Sequence, residues 1–373
     1  MLRVVYHEDM LEKFVGPLLG KLDAEAEHVA IREFLHALEH SADPDALLQI
    51  LRGGERFSDP RLAVNVAGIR LDNPLIVGPG FDKIGVAEHA LFELGFGAIE
   101  VGSVMTRPQA GNPRPRHITL APGVPLNRYG FNGPGVEVVA QNLATYDGSG
   151  LPLGINIGRN KDVTDDNAPQ EAYVPVVRRL CRQARYFVIN VSSPNTPGHR
   201  ALQAKGPLAA IVRASQDALK DEGVEVPLFV KIAPDMTMEA VDDVIEVVLE
   251  SGIAGIVATN TTVNADIKAK YGIREEMGGV SGDDADFRKM STDIIKRIYK
   301  QAGKKLTILG AGGVKDAATA LEKIRAGASA VQIVAALDEE GPTLPGRINR
   351  DLVAYMEKEG IKNISDLVGV DAA

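Results

Sequence analysis

From about residue 72 onward, short apolar runs alternate with longer amphipathic stretches. The runs are "NPLIVGPG", "AIEVGSV", "PLGINIG", "YFVINVS", "PLFVKIA", "GIVATN", "LTILGAG" and "AVQIVAA". They are continuous rather than alternating in hydrophobicity, the pattern of parallel strands buried on both faces. Between most of them apolar residues recur at helical spacing, as in 237–251 and 315–326. Roughly eight strand–helix units in about 300 residues predict an α/β fold, a (β/α)8 TIM barrel. An open doubly wound sheet is the alternative; eight is the number of units at which a sheet closes into a barrel.

The first 58 residues follow a different pattern and predict a small N-terminal helical extension, leaving 59–373 to the barrel. Leu11, Phe14, Val15, Leu18, Leu19 and Leu22 form one helical stripe, with Gly16-Pro17 as a kink or break. Ile31, Phe34, Leu35 and Leu38 form a second. "DPDALLQIL" predicts a third helix, with Asp43 as N-cap and Pro44 in its first turn. Such helices can cap the barrel floor or dock on a membrane or partner. Residues 1–56 hold six Lys/Arg against eleven Asp/Glu, so docking on lipid has to rest on apolar insertion rather than charge. The alternation in "LAVNVAGIRLDNP" predicts a strand pair closing the barrel bottom.

Composition narrows the picture. A chain of 373 residues, 45% hydrophobic, can bury a large core. One cysteine, Cys181, excludes an internal disulfide and a structural zinc site built on thiolates. A net charge of −9 argues against nucleic acid as a partner. With no signal-like opening and no apolar run of about 20 residues, the expectation is a cytoplasmic protein, peripheral at most on the inner face of the membrane.

Chemistry in a barrel sits at the carboxyl ends of its strands. Those ends carry Lys83, Ser103, Asn156, Asn190 with Ser193, Lys231, Thr259 with Asn260, then Gly312 and Gly313. Asparagines both donate and accept and suit a flat heterocycle with imide groups; lysines suit an anion or an electron-rich ring. "LGAGGVKDA" followed by "GASAVQI" matches the phosphate site that barrels build after strands seven and eight. With no GxGxxG after the first strand, flavin mononucleotide (FMN) is favoured over NAD. His36 and His40 stand i, i+4 but lack a clear third ligand, so no metal is expected. "INVSSPNTPGHR" on its own reads as a strand-to-loop turn.

Taken together, the chain resembles the class 2 dihydroorotate dehydrogenases, FMN-dependent and quinone-linked. The resemblance spans nearly the whole length: "LDAEAEHVAIREFL", "GFDK", "IEVGSVMTRPQAGNPRPR", "NRYGFN", "GINIGRNK", "INVSSPNTPG", "VKIAPD", "ATNTT" and "GGVSG" occur in the family's order. It implies oxidation of dihydroorotate to orotate, with Ser193 as the base; class 1 relatives have cysteine there. It implies substrate contacts from Lys83, Asn127, Arg128, Tyr129, Gly130, Phe131, Asn190, Asn195, Asn260 and Thr261. The FMN contacts it implies are Pro79, Gly80, Phe81, Asp82, Lys83, Ser103, Asn156, Asn190, Lys231, Thr259, Gly282, Gly313, Val334 and Ala335. Thr196 corresponds to a proton relay and Phe131 to a gate beside the base. A quinone as electron acceptor and a membrane surface met by the N-terminal helices are the implied partners.

The chain departs from the family at several positions. Val334-Ala335 stand where Tyr followed by Ser or Thr is usual, and Thr119 where an arginine is usual. His28 matches a family histidine. Pro79 replaces a small residue, His199 a leucine, and the segment at 283–286 is longer and more acidic. These changes leave the dihydroorotate half-reaction intact and bear on the electron acceptor. A soluble oxidant in place of quinone, or a barrel that binds FMN or orotate without turnover, are the alternatives.

Overall fold

A computed structural model describes residues 23–164, 168–274 and 277–372. The stripe from Leu11 to Leu22 lies outside the described residues. Each of the eight apolar runs forms one strand of a closed parallel barrel. In barrel order they are β3 (Leu75–Val77), β4 (Ala98–Val104), β7 (Leu153–Ile157), β8 (Tyr186–Asn190), β9 (Leu228–Ile232), β10 (Gly255–Ala258), β12 (Thr307–Ala311) and β13 (Ala330–Ile333). β13 pairs with β3, Val331 opposite Leu75, and closes the ring. The open-sheet alternative is thereby excluded. All residues of β7, β8 and β9 are buried, as runs enclosed by side chains inside and helices outside must be.

The helices begin where their caps direct. Thr237 caps Met238–Ser251 by accepting from the Ala240 N–H. Asp316 caps Ala317–Ala326 through a reciprocal bond with Thr319. At the barrel bottom β1 (Val64–Val66) and β2 (Ile69–Leu71) form the expected strand pair. Their two-residue turn, Ala67-Gly68, has both φ values positive, as a tight hairpin following the right-handed strand twist requires.

Helices α1 (Ala24–Glu39) and α2 (Pro44–Leu51) form the extension, with Asp43 capping α2 as expected. α1 lies at the carboxyl-end mouth of the barrel, not on its floor. The His28 imidazole bonds the carbonyl of Phe81, just past β3, at 2.9 Å. Arg116 donates three times to the Glu25 carboxylate, at 2.7–3.0 Å. An amphipathic stripe shows that one face is covered but not what covers it. Leu35, Leu38, Leu48 and Leu51 face inward, whereas Val29, Phe34, Leu47 and Ile50 remain exposed. No helix among the described residues is long and apolar enough to cross a membrane.

A second sheet was not evident from hydrophobic patterning. β5 (His117–Ala121), β6 (Val124–Asn127) and β11 (Gly279–Val280) pair antiparallel over the mouth. They have a small core of their own, in which Val124, Leu126 and Val280 meet Ile267 and Phe287.

Candidate active site

The strand ends and this upper sheet enclose one cavity at the mouth. Nineteen of the residues expected at the site border it. On the β3 side these are Pro79, Gly80 and Lys83; from β4 comes Ser103. β6 and its following loop add Asn127, Tyr129, Gly130 and Phe131, and β8 with its loop adds Asn190, Ser193 and Asn195. Lys231, Thr259, Asn260, Thr261, Gly282, Gly313, Val334 and Ala335 complete the ring. Phe81, Asp82, Arg128, Asn156 and Thr196 do not border it.

Those five have other surroundings. Phe81 is buried in the main core. Arg128 donates to the carbonyl of Pro115. Thr196 is buried, and its hydroxyl has no hydrogen-bond partner among the described residues. Asn156 lies beneath the cavity, where its Oδ1 accepts from Ser103 and from Asn190 Nδ2. The Asp82 carboxylate accepts four backbone N–H bonds, from Ile84, Gly85, Val86 and Ala87, at 2.7–3.0 Å. It therefore shapes the turn that presents Lys83. Asp82→Ala is expected to destabilise the fold by about 3 kcal/mol or more, because buried N–H groups lose a charged acceptor together. Thermal unfolding of the variant beside Asp82→Asn checks this, with the asparagine variant falling between.

The residues of β8 and its loop are tied into a net of amides. Asn190 Nδ2 donates to Ser103 Oγ at 3.2 Å, and its Oδ1 accepts from the Ser192 N–H and hydroxyl. Asn260 Nδ2 donates to Ser192 Oγ at 3.0 Å. Asn195 Nδ2 donates to both the carbonyl and the side-chain oxygen of Asn127. Ser193 is 6% exposed, and its Oγ accepts from the Asn195 N–H at 3.3 Å. Two buried atoms bordering the cavity, Asn195 Oδ1 and Thr261 Oγ1, have no hydrogen-bond partner among the described residues. Such groups call for a ligand that supplies what they lack.

Electrostatics single out the two lysines. The Lys83 ammonium stands 3.2 Å from the centre of the Tyr129 ring and donates to Asn132 at 3.4 Å. Burial pushes it down to about 7, Arg116 and Arg32 adding to the shift and Glu25 and Asp338 opposing it. Lys231 is lowered by burial and supported by Glu100, and it donates to Gln332 at 2.9 Å. Glu100 is fully buried; burial raises its carboxyl, and it accepts from Asn156 and Gln332. Glu100 and Gln332 were not anticipated at this site. Their signal was a charged or amide residue in the middle of a run otherwise buried on both faces.

The donor set fits an FMN. Amide, hydroxyl and ammonium groups at the barrel axis suit an imide edge. Gly282 and Gly313, which border the same cavity, both have positive φ and would offer bare backbone to a phosphate. A Cβ on Gly282 would stand 1.9 Å from the Gly123 carbonyl oxygen.

A smaller cavity lies between α1 and the mouth. It is bordered by Ile31 and Thr119 and shares His28, His117, Pro125, Ala335 and Asp338 with the main one. Both His28 nitrogens face oxygens, Phe81 O and Asp338 Oδ1, each at 2.9 Å. A carbonyl cannot donate, so Nε2 carries the proton that meets Phe81 O, and Nδ1 faces the Asp338 carboxylate. Elsewhere on α1, Glu39 joins His36 and His40 as the third group the sequence did not reveal, with ligand atoms within 4.8 Å. Its oxygens already accept from the Ala90 N–H and the Tyr146 hydroxyl. The acidic segment is structural too. Asp283 bridges Arg288 and Lys315, and Asp284 caps Ala285–Ala302.

His199 is fully buried. Burial holds its imidazole down to about 3, with Arg159 and Arg200 contributing. Its Nδ1 accepts from the Ser193 N–H at 3.1 Å, and its ring meets Phe131 edge-on at 5.2 Å.

Comparison with known proteins bears on the same residues. The dihydroorotate dehydrogenase family profile matches residues 61–356. A protein of Natronomonas pharaonis named dihydroorotate dehydrogenase (quinone) is 42% identical, covering 97% of this chain and 99% of its own. One of the same name from Rhodospirillum rubrum is 42% identical, covering 96% and 94%. Among solved structures, DHODH from Eimeria tenella in complex with ferulenol superposes with a TM-score of 0.83 at 32% identity, covering 95% and 98%.

Proposed function

This chain belongs to the dihydroorotate dehydrogenase family, and we propose that it oxidises (S)-dihydroorotate to orotate in pyrimidine biosynthesis with FMN as cofactor and a quinone as acceptor. The observation that carries this reading is the convergence of Ser193, Lys83, Asn127, Asn190, Asn195, Asn260 and Thr261 on one cavity. In this reading Ser193 Oγ takes the proton from the carbon beside the substrate carbonyl. The Asn195 N–H bond uses one lone pair of that oxygen and leaves the other to take the proton. The asparagines hold the ring by its amide edges, and Lys83 balances the substrate carboxylate. FMN, when bound, supplies the hydride acceptor. Pro79, Gly80, Ser103, Lys231, Thr259, Gly282, Gly313, Val334 and Ala335 would hold it, with Asn156 behind them. As that proton arrives the Ser193 hydroxyl must release its own, and Thr196, whose buried hydroxyl has no partner among the described residues, would receive it.

The 1–58 segment is the docking extension and 59–373 the catalytic barrel. The exposed Val29, Phe34, Leu47 and Ile50 of α1 and α2 support peripheral attachment at the inner face of the membrane. The cavity between α1 and the mouth supports a quinone approaching between them, with His28 and Asp338 at its inner end.

Anaerobic mixing with dihydroorotate is expected to bleach the flavin band near ~450 nm. Protein that copurifies with or accepts flavin but never bleaches would refute the assignment. With menaquinone, ubiquinone, fumarate and NAD compared side by side, a quinone is expected to restore the band fastest. Faster recovery with fumarate or NAD would refute the acceptor.

A further inference from the structure

The Ser192–Ser193 peptide is gripped at both ends by two consecutive side chains. Its N–H, on Ser193, donates to His199 Nδ1 at 3.1 Å. Its carbonyl, on Ser192, accepts from Arg200 Nε at 3.1 Å. Because Nδ1 accepts, the imidazole is neutral and its proton sits on Nε2. Nε2 lies 3.3 Å from the Tyr173 hydroxyl, which itself donates to the Asn190 carbonyl at 3.0 Å. A directed chain of donors thus runs from the amide of Ser193, through His199 and Tyr173, to the Asn190 carbonyl at the end of β8. Arg200 extends the hold to the next loop, donating to Asp235 at 2.8 Å and to the Thr261 carbonyl at 3.0 Å.

A histidine six residues from a serine suggests a serine–histidine dyad, but the geometry does not support one. His199 binds the Ser193 main chain rather than Oγ. We propose instead that His199 and Arg200 clamp the Ser192–Ser193 peptide plane, and that both are positioning residues aiming Ser193 Oγ at the substrate. Fixing that plane fixes the place and direction of the Ser193 N–Cα bond, the base from which Oγ is carried. The contact between His199 and Phe131 (φ +55°) brings the gate residue into the same unit. Arg200 ties the aim of the base to the loop that carries Asn260 and Thr261. The inference rests on Ser193 being the base.

The test follows flavin reduction by dihydroorotate in single-turnover mixing, with orotate affinity read from the flavin spectrum. His199→Leu fills the space without an acceptor. It is expected to slow reduction about 10–100-fold, the cost of a slightly misaimed group, while orotate affinity stays within about threefold. His199→Asn, whose amide oxygen can stand where Nδ1 stands, is expected to restore most of the rate. Arg200→Lys keeps the charge beside Asp235 but not the planar fork, and is expected to slow reduction about tenfold. Equal rates for the leucine and asparagine variants would reduce His199 to packing and overturn the clamp. If His199→Leu does not yield folded flavoprotein, a wild-type rate in Arg200→Lys overturns it. Ser193→Ala is run alongside. A fast Ser193→Ala enzyme refutes the base itself, whereas a slow one beside fast clamp variants refutes the clamp alone.

Discussion

Ser193→Ala is expected to reduce flavin with dihydroorotate ~10²–10⁴-fold more slowly than the parent enzyme, the range for loss of a positioned general base. The size of the effect follows from how little else the hydroxyl does. Its one hydrogen bond among the described residues is from the Asn195 N–H at 3.3 Å, a long bond whose loss costs about 1 kcal/mol. The peptide plane before it keeps both of its partners, His199 and Arg200. Among the described residues no side chain of Lys83 or of the asparagines hydrogen-bonds Oγ; Asn195 reaches it through its main chain. The variant should therefore fold, carry its usual flavin and shift the flavin spectrum with orotate at unchanged affinity. Rapid mixing under anaerobic conditions measures the reduction step directly. An alanine variant that reduces flavin at the parent rate would remove Ser193 from the chemistry.

The barrel was legible in the sequence because parallel strands enclosed on both faces are apolar at every position. Eight such runs stand out without any periodicity. The upper sheet was not legible for the opposite reason. His117–Ala121 is neither fully buried nor alternating, since the strand spans the edge between a small core and the cavity. Among site residues, side chains at strand ends could be read by position alone, as with Lys83, Asn190 and Lys231. Glu100 and Gln332 were visible as polar interruptions of buried runs, although only the fold shows that they support Lys231. Phe81 and Asp82 belong to a recognisable motif, yet their side chains turn toward the core and the backbone. His199 illustrates a limit of pattern reading: its partner is a main-chain amide, and no residue type at the other end marks it.

Orotate affinity is expected to fall about tenfold per pH unit above ~7. The cause is Lys83, whose ammonium burial pushes down to about 7 in the free protein. Orotate is an anion, so it binds the charged lysine and raises its pKa. Below about 7 the lysine is already protonated and the affinity is flat. Above it, each binding event must take up a proton, and the affinity declines until the pKa of the complex is reached. Stability of the unliganded protein runs the other way. Between about 7 and the ordinary lysine value of 10.5, the unfolded chain binds more protons than the folded one at this residue. The contribution of Lys83 to stability therefore rises with pH across that window, whereas below it the full penalty of a buried cation is present. Lys83→Met removes the charge and keeps much of the packing over Tyr129. It should bind orotate ~10²-fold more weakly at pH 6, with an affinity that no longer changes between pH 6 and 9. Spectral titrations of both proteins across that range decide the matter, and calorimetry in buffers of different ionisation enthalpy counts the proton taken up. A parent enzyme whose affinity is level from pH 6 to 9 would show that Lys83 is not the group that meets the carboxylate.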